Sequence, residues 1–305
     1  MLARGASWVL CGCLLASCDA GAPGRRDAAP DDDAGAVGDD VRSPEDAPTF
    51  YDAPVEDATP HDGTFPDARM PSACDGAPGR SLSVLFVGNS QIDFWNMARL
   101  VSSLSESAPP GCPRIVGTKH TLGGANLRDL WERTDLASHI ATGGYDAVVI
   151  TESIDLADMR PPFPELFDAY ARRVVEATRA AGAVPLFYAT GYVETPTRFG
   201  FAEMADPQLA LGAELGVPVA TGGLAWLRAW ERLPELDLYH PDRGHPGYVG
   251  SYLSALVLWG TLLEASPIGL TNAPVTDCTD GPCLEISPAL AAELQAVADE
   301  ELRAR

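Results

Sequence analysis

Five short runs rich in apolar and β-branched residues, each followed by a stretch with helical spacing, constrain this chain more than any other feature. They are SLSVLFVG (81–88), RIVGTKH (114–120), YDAVVIT (145–151), AVPLFYAT (183–190) and VPVA (217–220). Strands this apolar need cover on both faces, and strands alternating with helices build a parallel sheet between two helical layers. The intervening spacing predicts helices over Ile92–Ser107, Leu127–Ile140, Pro164–Ala181 and Phe199–Leu215, the last two closed by Gly182 and Gly216. Further helices are expected over Leu224–Leu233, Gly247–Glu264 and Pro288–Arg303. The expected fold is therefore a three-layer α/β/α sandwich around a mainly parallel five-stranded sheet, one domain over 81–305. Ligands of such sheets bind beyond the carboxyl ends of the strands. That directs attention to Gly88–Asp93, Thr121–Asn126, Thr151–Asp158, Gly191–Thr197 and the loop before Gly247.

The first 80 residues obey different rules. Residues 1–18 (MLARGASWVLCGCLLASC) place one positive charge ahead of a short apolar stretch and small residues, the layout of a secretory signal. Leu15-Ala16-Ser17-Cys18 resembles the bacterial lipoprotein box, which implies cleavage before Cys18 and lipid attached to its sulfur. An ordinary signal peptide with an incidental cysteine is the alternative. Residues 19–80 carry 15 acidic residues, five arginines and nine prolines, too little apolar surface to offset chain entropy, so they read as a disordered acidic linker.

Acids outnumber bases 43 to 21, giving a formal net charge of −22. That surplus repels phosphate backbones and argues against nucleic acid as a partner. With the signal removed and Cys18 lipidated, Cys74, Cys112, Cys278 and Cys283 remain. The CTDGPC segment folds Cys278 and Cys283 about an Asp-Gly-Pro turn, which favours their pairing and leaves Cys74 for Cys112. Four unpaired thiols are the alternative. A metal site is disfavoured because no histidine cluster accompanies the cysteines.

Two segments carry candidate chemistry. Gly88-Asn89-Ser90 follows the first strand and presents Ser90 at a helix start, where backbone N–H groups favour a developing anion. A helix-capping serine fits the same segment. In Tyr239-His240-Pro241-Asp242-Arg243-Gly244-His245-Pro246, an imidazole and a carboxylate three residues apart supply what a serine nucleophile needs. Asp237 and His240 repeat that spacing, so spacing alone does not choose between the two pairs. His120 and His139 have no carboxylate at this spacing and read as structural.

Taken together, these segments resemble the SGNH/GDSL hydrolase superfamily over about 81–270. Gly88-Asn89-Ser90 matches its first block, and Gly123-Gly124-Ala125-Asn126-Leu127 its glycine after the second strand. Asp242-Arg243-Gly244-His245-Pro246 followed by Gly250-Ser251-Tyr252-Leu253 matches its last block, and this longer match selects His245 over His240. The third block departs. The family's Gly-x-Asn-Asp is replaced by Thr151-Glu152-Ser153-Ile154-Asp155, closer to a divergent branch with a Gln-Glu-Gln-Ser type segment.

The resemblance implies a flavodoxin-like hydrolase fold and a triad of Ser90, His245 and Asp242. The backbone N–H groups of Ser90 and Gly124 would bind the oxyanion, and Asn126, Thr151 or Ser153 would replace the missing asparagine donor. Glu152 would orient a substrate hydroxyl or hold a neighbouring loop, unless it is only an exposed carboxylate at a strand end. Tyr239, Trp95, Trp131 and Tyr192 are candidates for stacking on a sugar, though core packing is the commoner fate of such rings. The expected activity is that of a serine esterase, monomeric and without metal or organic cofactor. It would be exported and held at a bacterial cell envelope by a lipid anchor, with a small-molecule or polysaccharide ester as substrate, O-acetylated carbohydrate among them. The rival from another class is a non-catalytic lipoprotein that uses the same fold to bind glycan or a protein partner.

Overall fold

The computed structural model describes residue 74 and residues 79–152, 163–190 and 201–305, all within the unit Asp62–Arg305. The leader and Cys18, most of the linker, Ser153 and Tyr192 lie outside the described residues.

Five strands, β1 (Ser81–Gly88), β2 (Arg114–Thr121), β3 (Ala147–Ile150), β4 (Val184–Tyr188) and β5 (Val219–Ala220), form one sheet in the order β2-β1-β3-β4-β5. Every pairing is parallel. Side chains alternate across a strand, and that alternation divides each apolar run between two cores. Val84 and Phe86 of β1, Ala147 and Val149 of β3, and Leu186 and Tyr188 of β4 enter one cluster. Leu85 and Val87, Val148 and Ile150, and Phe187 enter the other. The first is covered by α2 (Met97–Glu106), α7 (Gly222–Arg232), α8 (Tyr248–Leu263) and α9 (Pro288–Arg303). The second lies under α3 (Leu127–Arg133), α4 (Leu136–Gly143) and α5 (Phe163–Ala180), while α6 (Phe201–Leu215) contributes to both. With α8 buried nearly throughout, the layered sandwich expected from the sequence is the observed one.

Two expected helices are broken. The stretch 92–107 is a short α1 (Ser90–Asp93) and α2, separated by Trp95 and Asn96 with φ of 56° and 45°. Left-handed backbone at non-glycine residues costs of order 1–3 kcal/mol each and persists only where its surroundings hold it. Here the Trp95 N–H donates to Asp280 Oδ2 (2.8 Å) and the Asn96 side-chain amide to Asp277 Oδ2 (2.7 Å). The Asn96 carbonyl oxygen of the side chain accepts the Arg99 N–H as the cap of α2. The stretch 127–140 divides at Thr134, whose hydroxyl accepts the Leu136 N–H at 3.3 Å and so competes with the helical ladder. Both expected disulfides, Cys74–Cys112 and Cys278–Cys283, are present.

Strand order reverses between β1 and β3, because the chain runs outward to β2 before returning. In doubly wound sheets the crevice at this switch point is the usual ligand site. Ser90 lies two residues beyond the end of β1, at this switch point.

Candidate active site

The nucleophile tip is built by close backbone approach. A Cβ on Gly88 would lie 2.9 Å from both Ile92 Cγ1 and Thr151 Cβ, so only glycine lets β1 turn sharply beside the end of β3. Asn89 caps α1 through its side-chain oxygen, which accepts the Gln91 N–H at 3.0 Å. Its amide donates to the Ala125 carbonyl at 3.1 Å, tying the tip to the turn after β2. Asn89 thus does the capping, and the Ser90 hydroxyl is free for other work.

The acid–base loop is a closed hoop. Tyr239 and Pro246 form an antiparallel bridge, the His240 N–H donates to the His245 carbonyl (2.9 Å), and the Gly247 N–H donates to the Leu238 carbonyl (2.8 Å). Within the hoop the Gly244 and His245 N–H groups donate to Asp242 Oδ1 at 2.9 and 3.1 Å. The hoop is seated on the nucleophile segment by Trp95 Nε1–H, which donates to the Pro246 carbonyl at 3.0 Å, and by the Gln91 amide, which donates to the Gly244 carbonyl at 3.3 Å.

These two pieces meet. His245 Nε2 lies 2.9 Å from Ser90 Oγ, and His245 Nδ1 lies 2.8 Å from Asp242 Oδ2. A carboxylate only accepts, so Nδ1 carries the proton and Nε2 presents its lone pair to the serine hydroxyl. Burial alone would raise the Asp242 carboxyl; the Gly244 N–H and the His245 and His240 side chains outweigh it and hold the group down to about 2. Asp242 is therefore ionised near neutral pH, the form that can stabilise an imidazolium. Phe94, four residues after Ser90, stacks on His245 with ring centroids 3.8 Å apart and planes 1° apart. The sequence reading missed Phe94. Its spacing from Ser90, one helical turn, was the available signal.

The remaining candidates separate clearly. Gly124 adopts φ of 68° in the turn after β2 and is exposed. Among the described residues the N–H groups of Ser90 and Gly124 have no hydrogen-bond partner. Asn126 uses its side-chain oxygen to accept the Asp129 N–H (2.9 Å) as the cap of α3, which leaves its NH₂ as the donor. Thr151 is 1 % exposed, and its hydroxyl is buried without a partner against Gly88. A donor to an oxyanion must face the substrate space, so Thr151 is a poor replacement for the family asparagine. Glu152 is buried and accepts the Leu127 N–H at 3.2 and 3.4 Å, so it holds the start of α3 and is not an exposed carboxylate.

Tyr239 packs on Trp230 and Trp226, with the Arg243 guanidinium 4.7 Å from its ring centroid, contacts that brace the hoop. Trp95 is 3 % exposed, which corrects the idea that it stacks on substrate; its indole belongs to the core and to Pro246. Trp131 is partly buried against the second core. His120 and His139 sit together behind β2, where Nε2 of His120 meets Thr134 Oγ1 and Nε2 of His139 meets Tyr145 Oη, each at 2.8 Å. The Asp237 carboxylate pairs with Arg243 (2.9 Å), whereas Asp242 pairs with His245, the histidine that reaches Ser90.

The sheet order and the all-parallel pairing give the chain an α/β fold that solved structures share at low sequence identity. Among solved structures it is similar to a DUF4886 family protein from Bacteroides uniformis, with TM-score 0.56 and 14% identity over 73% of this chain and 95% of that one. It is also similar to a variant of an acetyl-xylooligosaccharide esterase from Geobacillus stearothermophilus, with TM-score 0.50 and 18% identity over 60% of this chain and 95% of that one. A candidate SGNH hydrolase from Slackia heliotrinireducens aligns with TM-score 0.47 and 23% identity, over 60% of this chain and 100% of that one. No family model and no curated protein matches the chain.

Proposed function

We propose that this chain is a serine esterase, and the observation that carries the reading is the unbroken path from Ser90 Oγ through His245 to Asp242. Ser90 Oγ attacks the ester carbonyl carbon as His245 Nε2 takes its proton, and the carbonyl oxygen becomes an oxyanion. The unpartnered N–H groups of Ser90 and Gly124 donate hydrogen bonds to that oxyanion, with the Asn126 amide as the third donor. Collapse of the tetrahedral intermediate breaks the bond to the alcohol, which leaves with the proton from His245. Water then gives a proton to the same nitrogen and attacks the acyl-serine, and collapse breaks the bond to Ser90 Oγ, which takes the proton back from His245 as the acid is released. Asp242 keeps the imidazole in the Nδ1–H tautomer throughout.

O-acetylated carbohydrate is the substrate class we favour, supported by the likeness to an esterase named for acetylated xylooligosaccharides. The residue 1–18 pattern supports attachment to a cell envelope through lipid on Cys18. No helix among the described residues is long and apolar enough to cross a membrane.

Hydrolysis of p-nitrophenyl acetate, followed by acetate release from acetylated glycans, tests the reading. Ser90→Ala should lower the rate by about 10⁶-fold, to that of the oxyanion site and binding alone. Equal rates for Ser90→Ala and the parent would support a binding protein on the same fold.

A further inference from the structure

His240, the other histidine of the hoop, is not idle. Its Nε2 lies 3.0 Å from the backbone carbonyl of Asp280, and its Nδ1 lies 3.0 Å from Asp242 Oδ2, the oxygen that also faces His245. A carbonyl oxygen only accepts, so the Nε2 proton is committed to Asp280. Contact with Oδ2 then needs a second proton, on Nδ1. In the singly protonated ring Nδ1 instead accepts the Asp242 backbone N–H, at a long 3.4 Å.

Asp242 is thereby surrounded. Oδ1 takes two backbone N–H groups and Oδ2 meets two imidazoles, which uses the four lone-pair sites of a carboxylate. The far end of this arrangement is the segment closed by the Cys278–Cys283 disulfide. Its Asp280 holds His240 through the main chain and the strained Trp95 N–H through the carboxylate, so one short loop braces both halves of the site. The Phe94 ring keeps the two histidines apart, stacked on His245 and edge-on to His240 with centroids 5.2 Å apart.

We infer that His240 is a positioning residue, a second imidazole that fixes the Asp242 carboxylate on His245 and is itself fixed by the disulfide-closed loop. The inference rests on the esterase reading for its kinetic effect but not for its geometry. Removing a hydrogen bond to a charged group is worth about 10- to 100-fold in rate. His240→Ala should therefore lower kcat of the full chain on p-nitrophenyl acetate by about that factor, with KM nearly unchanged. His240→Asn, whose amide can donate from near the Nδ1 position, should recover most of the loss. In an Asp242→Ala background His240→Ala should cost nothing further, because the residue it acts through is gone.

Equal losses in the parent and Asp242→Ala backgrounds, or no recovery by asparagine, would overturn the inference. Nitrogen-15 spectra of histidine-labelled protein decide it independently of turnover. The His240 Nδ1 signal, assigned by its disappearance in His240→Asn, should move in Asp242→Asn, and a signal that stays put refutes the contact. If the parent hydrolyses nothing, the esterase reading fails while this spectroscopic result still stands or falls alone.

Discussion

The tip that carries Ser90 and the hoop that carries Asp242 and His245 are built by opposite means. The tip is a strand end with main chain packed against main chain: Gly88 tolerates no Cβ, Asn89 and Gln91 are buried, and the Thr151 N–H donates to the Val87 carbonyl. The hoop is a longer loop between α7 and α8. Its shape comes from its own backbone bonds, but its placement comes from the Gln91 and Trp95 side chains that reach in and from its own His240, which reaches out to the Asp280 carbonyl. A tip of this kind has one conformation available. A hoop of this kind is only as exact as its braces, and a base must stand within hydrogen-bond reach of its nucleophile to be useful. The difference locates the vulnerability of the site in the half that carries His245.

That contrast can be broken or sharpened. Within the hoop the largest effect is expected at Asp242: Asp242→Asn should lower kcat by about 10⁴-fold through the wrong imidazole tautomer, with KM and melting temperature little changed. A comparable loss accompanied by a collapse in melting temperature would mean that the carboxylate mainly holds the hoop together.

On the other side, Gly88→Ala forces a Cβ to within 2.9 Å of Ile92 and Thr151. Overpacking of this kind costs about 1–3 kcal/mol, read as a lower urea midpoint at unchanged slope. A stable, fully active Gly88→Ala variant would show the tip to be more yielding than its packing implies.

The smallest effect is in acid. Asp242 ionises at about 2 in the fold against 3.8 for the free side chain, so its contribution to stability is present above about 4 and is lost as pH falls through 2. Its side chain is 40% exposed, so solvent screening keeps the contribution below about 1 kcal/mol. Denaturation at pH 5 and pH 2.5 should show the parent losing slightly more stability than Asp242→Asn over that interval.

The same contrast explains what the sequence disclosed. Strand tips announce themselves locally: an apolar run ending in Gly88-Asn89-Ser90 can be read without knowing what lies opposite. The Asp242–His245 pair was legible only as one of two equal spacings, and the continuation into Gly250 and Tyr252 separated it from Asp237 and His240. What remained hidden depends on partners far along the chain. The break at Trp95–Asn96 lies inside a perfectly helical apolar pattern and is held open by Asp277 and Asp280, more than 180 positions away. Glu152 read equally as a residue that orients a substrate hydroxyl, one that holds a neighbouring loop, or a strand-end acid, and only its contact with the Leu127 N–H ties it to the start of α3. His240 looked like a decoy for a related reason, since its use is set by a carbonyl oxygen 40 residues downstream.

Ser90 and His245 are separated by 155 positions. The hydroxyl emerges from the ribosome with the first strand, whereas its proton acceptor follows after all five strands have been made. Contacts this distant in sequence form late, once loop-closure entropy has been met. On the esterase reading, a chain of this design acquires reactivity only on complete folding, and partly synthesised or unfolded copies stay chemically silent.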